Sequence, residues 1–209
     1  MSILDPNALK LFIYVIIVLS ATFHEYAHGF MAYRLGDSTA KNEGRLTLNP
    51  LAHIDLVGTV VIPLFLLFFS GIFIGWAKPV PYNPHNLRDQ RYGSLKVGIA
   101  GPGANLLIAL LLGMLIRLEG VGIMGNILSP VFVQMLTLVV YINIFLALFN
   151  LIPLPPLDGS KIAMDLFPAF RNTILRAGFL GIFLALFMAF WILPYLANLV
   201  FLVIVGNPI

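Results

Sequence analysis

Of the 209 residues, 60% are hydrophobic and only 10% are charged, and the mean hydropathy is +0.97. A water-soluble domain of this length needs far more polar surface, so the expected solvent for most of the chain is a lipid bilayer. The net charge of +3 sits on basic residues between apolar segments, where they set membrane orientation, so no nucleic-acid partner is expected.

Five apolar stretches follow in chain order, at residues 9–32, 54–74, 97–116, 131–152 and 177–205. Each approaches or exceeds the ~20 residues that cross the hydrocarbon core as a helix. The last is interrupted by Pro194 and is long enough for one bent span or for a span plus a short interfacial piece. A single basic residue, Lys10, precedes most of the first stretch, and the chemistry lies inside it, so it does not read as a removable signal peptide. There is no cysteine for a disulfide framework, no internal repeat and no linker. Residues 1–209 read as a single membrane-embedded domain, all-α and polytopic, with about four to six transmembrane helices.

The connections differ in character. Residues 34–55 are polar and contain Gly44-Arg45-Leu46-Thr47-Leu48-Asn49-Pro50, whose alternation predicts a short strand ended by a turn. Residues 77–96 are rich in Pro and Asn, and residues 118–130 hold no basic residue. The run Ile152-Pro153-Leu154-Pro155-Pro156-Leu157-Asp158-Gly159 cannot be a regular helix. Such backbone at the end of a span needs protein or a wet cavity around it.

The decisive pattern is His24-Glu25-Tyr26-Ala27-His28 inside the first stretch. Residues four apart share a helix face, so both imidazoles can reach one metal ion, with Glu25 to one side as a general base rather than a ligand. Zinc suits such a set, because it takes imidazole and carboxylate in tetrahedral geometry. An acid within a membrane span is expensive, at least ~2.5 kcal/mol on insertion scales, and Glu25 is the only one in this stretch. The plainer reading is a polar contact between helices. Zinc needs a third protein ligand. Asp158 is best placed, in the Pro-rich break and followed by Gly159; its plainer role is to cap a helix starting near Ser160. Asp165 is the rival, while His53 and His85 belong to interfacial loops.

Three motifs in order, His24-Glu25-x-x-His28, Gly101-Pro102-Gly103-Ala104-Asn105, and Asn150-Leu151-Ile152-Pro153 leading to Leu157-Asp158-Gly159, resemble the site-2 protease family of intramembrane zinc metalloproteases. The resemblance covers most of the chain, from about residue 11 to residue 165. It implies one zinc held by His24, His28 and Asp158, and Glu25 as the catalytic base. It also implies that Asn150 assists at the substrate carbonyl and that residues 101–105 pack against the catalytic core. Many members carry a PDZ or CBS domain, and this chain is expected to carry neither. The function implied is hydrolysis of peptide bonds in or near transmembrane segments of other membrane proteins, which are then its partners together with the bilayer. A metal transporter or channel is a rival class, but it needs ligands along a path, and here they cluster at one depth. A catalytically idle scaffold would not need Glu25.

Topology follows from the same residues. For His28 and Asp158 to share a metal, the first and fourth stretches must run in one direction, so one segment between them should not cross. Residues 54–74, with Pro63 near the middle, are the expected re-entrant segment. Ten of the twelve Lys and Arg then face one side, against eight if the segment crosses. The positive-inside rule therefore places the N-terminus outside the cell membrane and the site nearer the cytoplasm.

Overall fold

The computed structural model describes residues 5–71, 75–125 and 127–207. The chain divides into two compact units, Met1–Arg88 and Asp89–Ile209. Three helices among the described residues are long and apolar enough to cross a membrane, or four if one bent pair counts as a single span, the lower end of the expected number.

The first unit is built on α1, Pro6–Arg34. Asp5 caps it by accepting from the N–H groups of Asn7 and Ala8 at 2.8 and 3.1 Å, and Pro6 opens the first turn where no N–H is needed. A short helix α2, Thr39–Asn42, follows. The strand expected over residues 44–50 does not form, and no strand occurs among the described residues. Its backbone groups are spent elsewhere. Arg45 N–H donates to the Ala40 carbonyl at 2.8 Å, and the Thr47 carbonyl accepts from His53 Nε2 at 2.9 Å. Apolar alternation without a neighbouring edge to pair with is not sufficient for a strand.

The second apolar stretch is a hairpin. A π-helical turn, Leu56–Val61, runs into α3, Ile62–Phe69. Together they rise only about 20 Å, short of the ~30 Å hydrocarbon core. The far limb then comes back to the near one. Trp76 N–H donates to the Gly58 carbonyl at 2.9 Å, the Thr59 hydroxyl donates to the Trp76 carbonyl at 2.8 Å, and Lys78 N–H reaches the His53 carbonyl at 2.9 Å. Gly58 is required for this closure, since a Cβ there would fall on the Trp76 ring. Trp76 thus lies back beside Gly58 and Thr59, near the start of the stretch.

From Trp76 the chain passes as an extended strap beside α1. Asp37, fully buried after the last turn of α1, ties it down. Its carboxylate accepts from Asn83 N–H at 2.7 Å, Asn86 Nδ2 at 2.9 Å and the Thr39 hydroxyl at 2.6 Å. Arg88 N–H adds a bond to the Leu35 carbonyl at 2.8 Å. Burial pushes the Asp37 carboxyl up, but the bonds from Thr39, Asn86 and Asn83 outweigh it and hold it below its ordinary value of 3.8.

The second unit is a helical bundle of α4 (Gly93–Gly120), α5 (Pro130–Asn150), α6 (Asp158–Leu166), α7 (Arg171–Trp191) and α8 (Leu193–Val205). Ala109, Ile116, Leu136, Val140, Ile144, Ala197, Phe201 and Val205 form the core of α4, α5 and α8. Gly113 lets Ile204 of α8 approach α4 closely, the small-residue contact typical of helices in lipid. Asn105 Nδ2 donates to Asn143 Oδ1 at 2.9 Å within this interior, bridging α4 to α5. The last apolar stretch is two pieces: α7 ends at Trp191, and α8 begins with Pro194 in its first turn. α7 itself bends by 91° at Gly178.

Because Asp37 collects several strap contacts at one buried carboxylate, Asp37→Ala should cost on the order of 3 kcal/mol and speed proteolytic nicking within residues 76–88. The folded carboxyl sits below its ordinary value, so its contribution is complete above about pH 4 and is lost as the pH falls through the folded value. Thermal unfolding of detergent-solubilised protein at pH 7 and at about pH 2 should therefore separate wild type from Asp37→Asn more widely at pH 7.

Candidate metal centre

His24, Glu25 and His28 lie in the second half of α1, where the other charged residue is Arg34 at the helix end. Both histidines are buried, each 6% exposed. Their rings meet edge to face, with centroids 4.6 Å apart and planes at 83°, which brings the two Nε2 atoms to 3.0 Å. Two nitrogens on a tetrahedral zinc, each about 2.05 Å from the ion, stand about 3.3 Å apart. The pair therefore fits two ligands of one zinc, and the chemistry of two converging imidazole nitrogens suits that metal.

Glu25 is held by a partner from outside α1. Its Oε2 accepts the Val80 N–H at 2.7 Å, so the strap rather than another membrane helix supplies its partner. The strap is itself fixed by Arg45, whose Nη2 donates to the Lys78 carbonyl at 2.7 Å and the Pro79 carbonyl at 3.3 Å. Gly29, one turn beyond Glu25, admits the Val80 side chain; a Cβ there would lie 3.0 Å from Val80 Cγ1. Neither Val80 nor Arg45 is marked by the motifs. The available signal is Pro79-Val80-Pro81, in which Val80 holds the one N–H between two residues that have none.

Asp158 and Asn150 belong to the second unit. The Pro-rich turn after α5 folds back so closely that a Cβ at Gly159 would meet the carbonyls of Leu151 and Ile152. Gly98 of α4 gives way on the other side, 3.3 Å from the Asp158 carbonyl oxygen by the same measure. Asp158 is thereby buried at the first position of α6, where the positive end of the helix favours a carboxylate. The cap position of α6 is Leu157, so Asp158 stands one residue inside the helix rather than at its cap. Its Oδ1 accepts from Lys161 Nζ at 2.8 Å.

The rival candidates have other work. Asp165 Oδ2 accepts the Leu95 N–H at 2.7 Å and so caps α4. His53 is buried against the Thr47 carbonyl, and His85 sits in an exposed turn at Pro84–Asn86. Asn150, in the last turn of α5, donates from Nδ2 to the Leu146 carbonyl at 3.0 Å, which leaves one amide hydrogen uncommitted by that bond.

Known proteins bear on the same residues. Peptidase family M50 matches residues 120–194, which include Asn150 and Asp158. The "Putative zinc metalloprotease YwhC" of Bacillus subtilis (strain 168) is 39% identical over 188 residues, 88% of this chain and 83% of that protein. The "Putative zinc metalloprotease Rip2" of Mycolicibacterium smegmatis is 31% identical over 142 residues, 68% of this chain and 52% of its own length. Rip2 of Mycobacterium tuberculosis is 26% identical over the same share. The chain spans about half the length of the Rip2 proteins. No solved structure matches it. A relative of this identity, aligned over most of both sequences, settles the kinship: the chain is a multi-pass membrane member of peptidase family M50, the site-2 protease family.

Proposed function

We propose that this protein is a zinc endopeptidase that cleaves the transmembrane segments of other membrane proteins. The observation that carries the reading is the pair of converging imidazoles with Glu25 beside them on an apolar helix. His24, His28 and Asp158 are the proposed ligands of one zinc per chain, the first two for their converging imidazoles and the third for its burial at the start of α6. Zinc, when bound, supplies the Lewis acid that polarises a peptide carbonyl and acidifies water.

The chain's own residues supply the rest. Glu25 takes a proton from water and returns it to the leaving amine. The Val80 N–H holds Glu25 Oε2, fixing the side chain and leaving its second oxygen outside that bond to take the proton. Asn150, with an amide hydrogen beyond its bond to Leu146, donates to the carbonyl oxygen as charge develops there. A helical substrate hides its carbonyls in its own hydrogen bonds, so the segment cleaved must be locally extended. That requirement selects transmembrane segments with weak helical stretches as substrates.

The hairpin at residues 54–76 supports the one-sided arrangement of basic residues, with the N-terminus outside, the site nearer the cytoplasm and the cell membrane as location. Glu119 is buried, so exposed Ile123 is the better reporter for the outer loop. In single-cysteine variants, Lys41→Cys and Arg91→Cys should react with a membrane-impermeant thiol reagent only from the cytoplasmic side, and Ile123→Cys only from outside. Labelling of Lys41→Cys and Arg91→Cys from opposite faces would overturn the re-entrant topology.

Elemental analysis of purified protein should find one zinc per chain. His24→Ala, His28→Ala and Asp158→Ala should each lower it sharply, while Asp165→Ala keeps it. Zinc retained in Asp158→Ala but lost in Asp165→Ala would reverse the third-ligand assignment. Glu25→Gln should retain zinc and lose about 10²- to 10⁴-fold of its cleavage of a transmembrane peptide in detergent or vesicles. Cleavage near the wild-type rate would remove Glu25 from the mechanism.

A further inference from the structure

The far end of α4 carries a second buried acid that the proteolytic reading leaves unused. Glu119 is 7% exposed. Its Oε1 accepts the Leu128 N–H at 2.9 Å, and its Oε2 is buried with no partner among the described residues. Along α4 it stands about 31 Å from Gly98, which packs beside Asp158, so it belongs to a different place. Glu119 also lines a cavity of about 250 Å³ and is the one charged residue in its wall. Ile116, Val133 and Phe201 make much of the apolar lining, and Thr137 and Asn207 add polar atoms. Thr137 donates its hydroxyl proton to the Val133 carbonyl at 2.9 Å, which leaves its oxygen as an acceptor.

These groups specify a ligand class. A buried carboxylate oxygen without a partner calls for a cation, and the negative end of α4 adds to that demand. The nearest basic residue in sequence, Arg117, is directed to the Val203 carbonyl at 3.1 Å. A divalent metal needs about six oxygen ligands, far more than one carboxylate, one hydroxyl and one amide provide. The cavity is also much larger than an ion, and its walls are mostly apolar. An organic cation meets both conditions, with its charge on Glu119 and its body on the walls. A primary ammonium also has three donors for the acceptors at hand.

We propose that this cavity binds a primary ammonium group, its charge paired with Glu119. The ammonium is supplied by the headgroup of an aminophospholipid or by a small free amine. The test uses the full chain in detergent, with phosphatidylethanolamine, phosphatidylcholine or free ethanolamine added, read by native mass spectrometry and thermal unfolding. Phosphatidylethanolamine should be retained in preference to phosphatidylcholine, whose quaternary ammonium has no N–H to donate. Glu119→Gln keeps an oxygen for the Leu128 N–H and should weaken retention on the order of tenfold. Val133→Phe, which narrows the cavity and keeps the acid, should weaken it too. A Glu119-dependent rise in unfolding temperature with ethanolamine alone would support the site and assign a soluble amine as the source. Equal retention by wild type and Glu119→Gln would overturn the proposal. So would the absence, in the wild type, of both a phosphatidylethanolamine preference and an ethanolamine effect, a result that stands even where a variant folds poorly.

Discussion

A carboxylate on a membrane-spanning helix has to be given a partner, and the first unit is arranged around meeting that need at Glu25. Neighbouring side chains of α1 do not meet it; a backbone N–H from the strap does, at 2.7 Å. A strap that donates there has to be extended and fixed. Asp37 holds it at one end, Arg45 grips its carbonyls in the middle, and the hairpin at residues 54–76 delivers it from the other side. Loosening any of these moves the Val80 N–H and leaves a charge unpaired in apolar surroundings, so the hairpin's closure and the proposed base are energetically linked.

The second unit solves a related problem by close approach. The turn after α5 must place Asp158 in the interior without stranding the carbonyls it exposes. Gly159 permits the backbone to fold onto Leu151 and Ile152, and Gly98 admits α6 against α4. Asp165 then locks α6 to the first turn of α4. The bundle behind it, sealed by the α4–α5–α8 core and by the Asn105–Asn143 bond, is the rigid support such a turn needs.

Much of this is legible in the residues themselves. Hydropathy located α1, α4 and α5 to within a few residues at most ends, because a long apolar run in lipid has one satisfactory conformation. The i, i+4 histidines define their own geometry for the same reason. Asp158 was distinguishable from Asp165 only in part, since both follow the Pro-rich run and lie at opposite ends of α6; the bond from Leu95 gives Asp165 a separate role. The strand misread at residues 44–50 shows the converse. Alternation is a local pattern, whereas a strand depends on an edge supplied from elsewhere. The strap was illegible for the same reason: Asp37, Arg45 and Val80 act across 33 to 55 residues of sequence or through backbone, where side-chain patterns carry no signal. Glu119 was visible as an acid in a loop without basic residues, but its burial was not.

The most direct measurement is the position of cleavage inside living membranes. Cells carrying the intact protein or Glu25→Gln, compared by mass spectrometry of new peptide termini in the membrane fraction, should differ at a small set of membrane proteins. The account predicts termini that fall within or at the edge of apolar spans and vanish with Glu25→Gln, while the uncut precursors accumulate. Glu25-dependent termini confined to soluble loops, or identical termini in both strains, would contradict it.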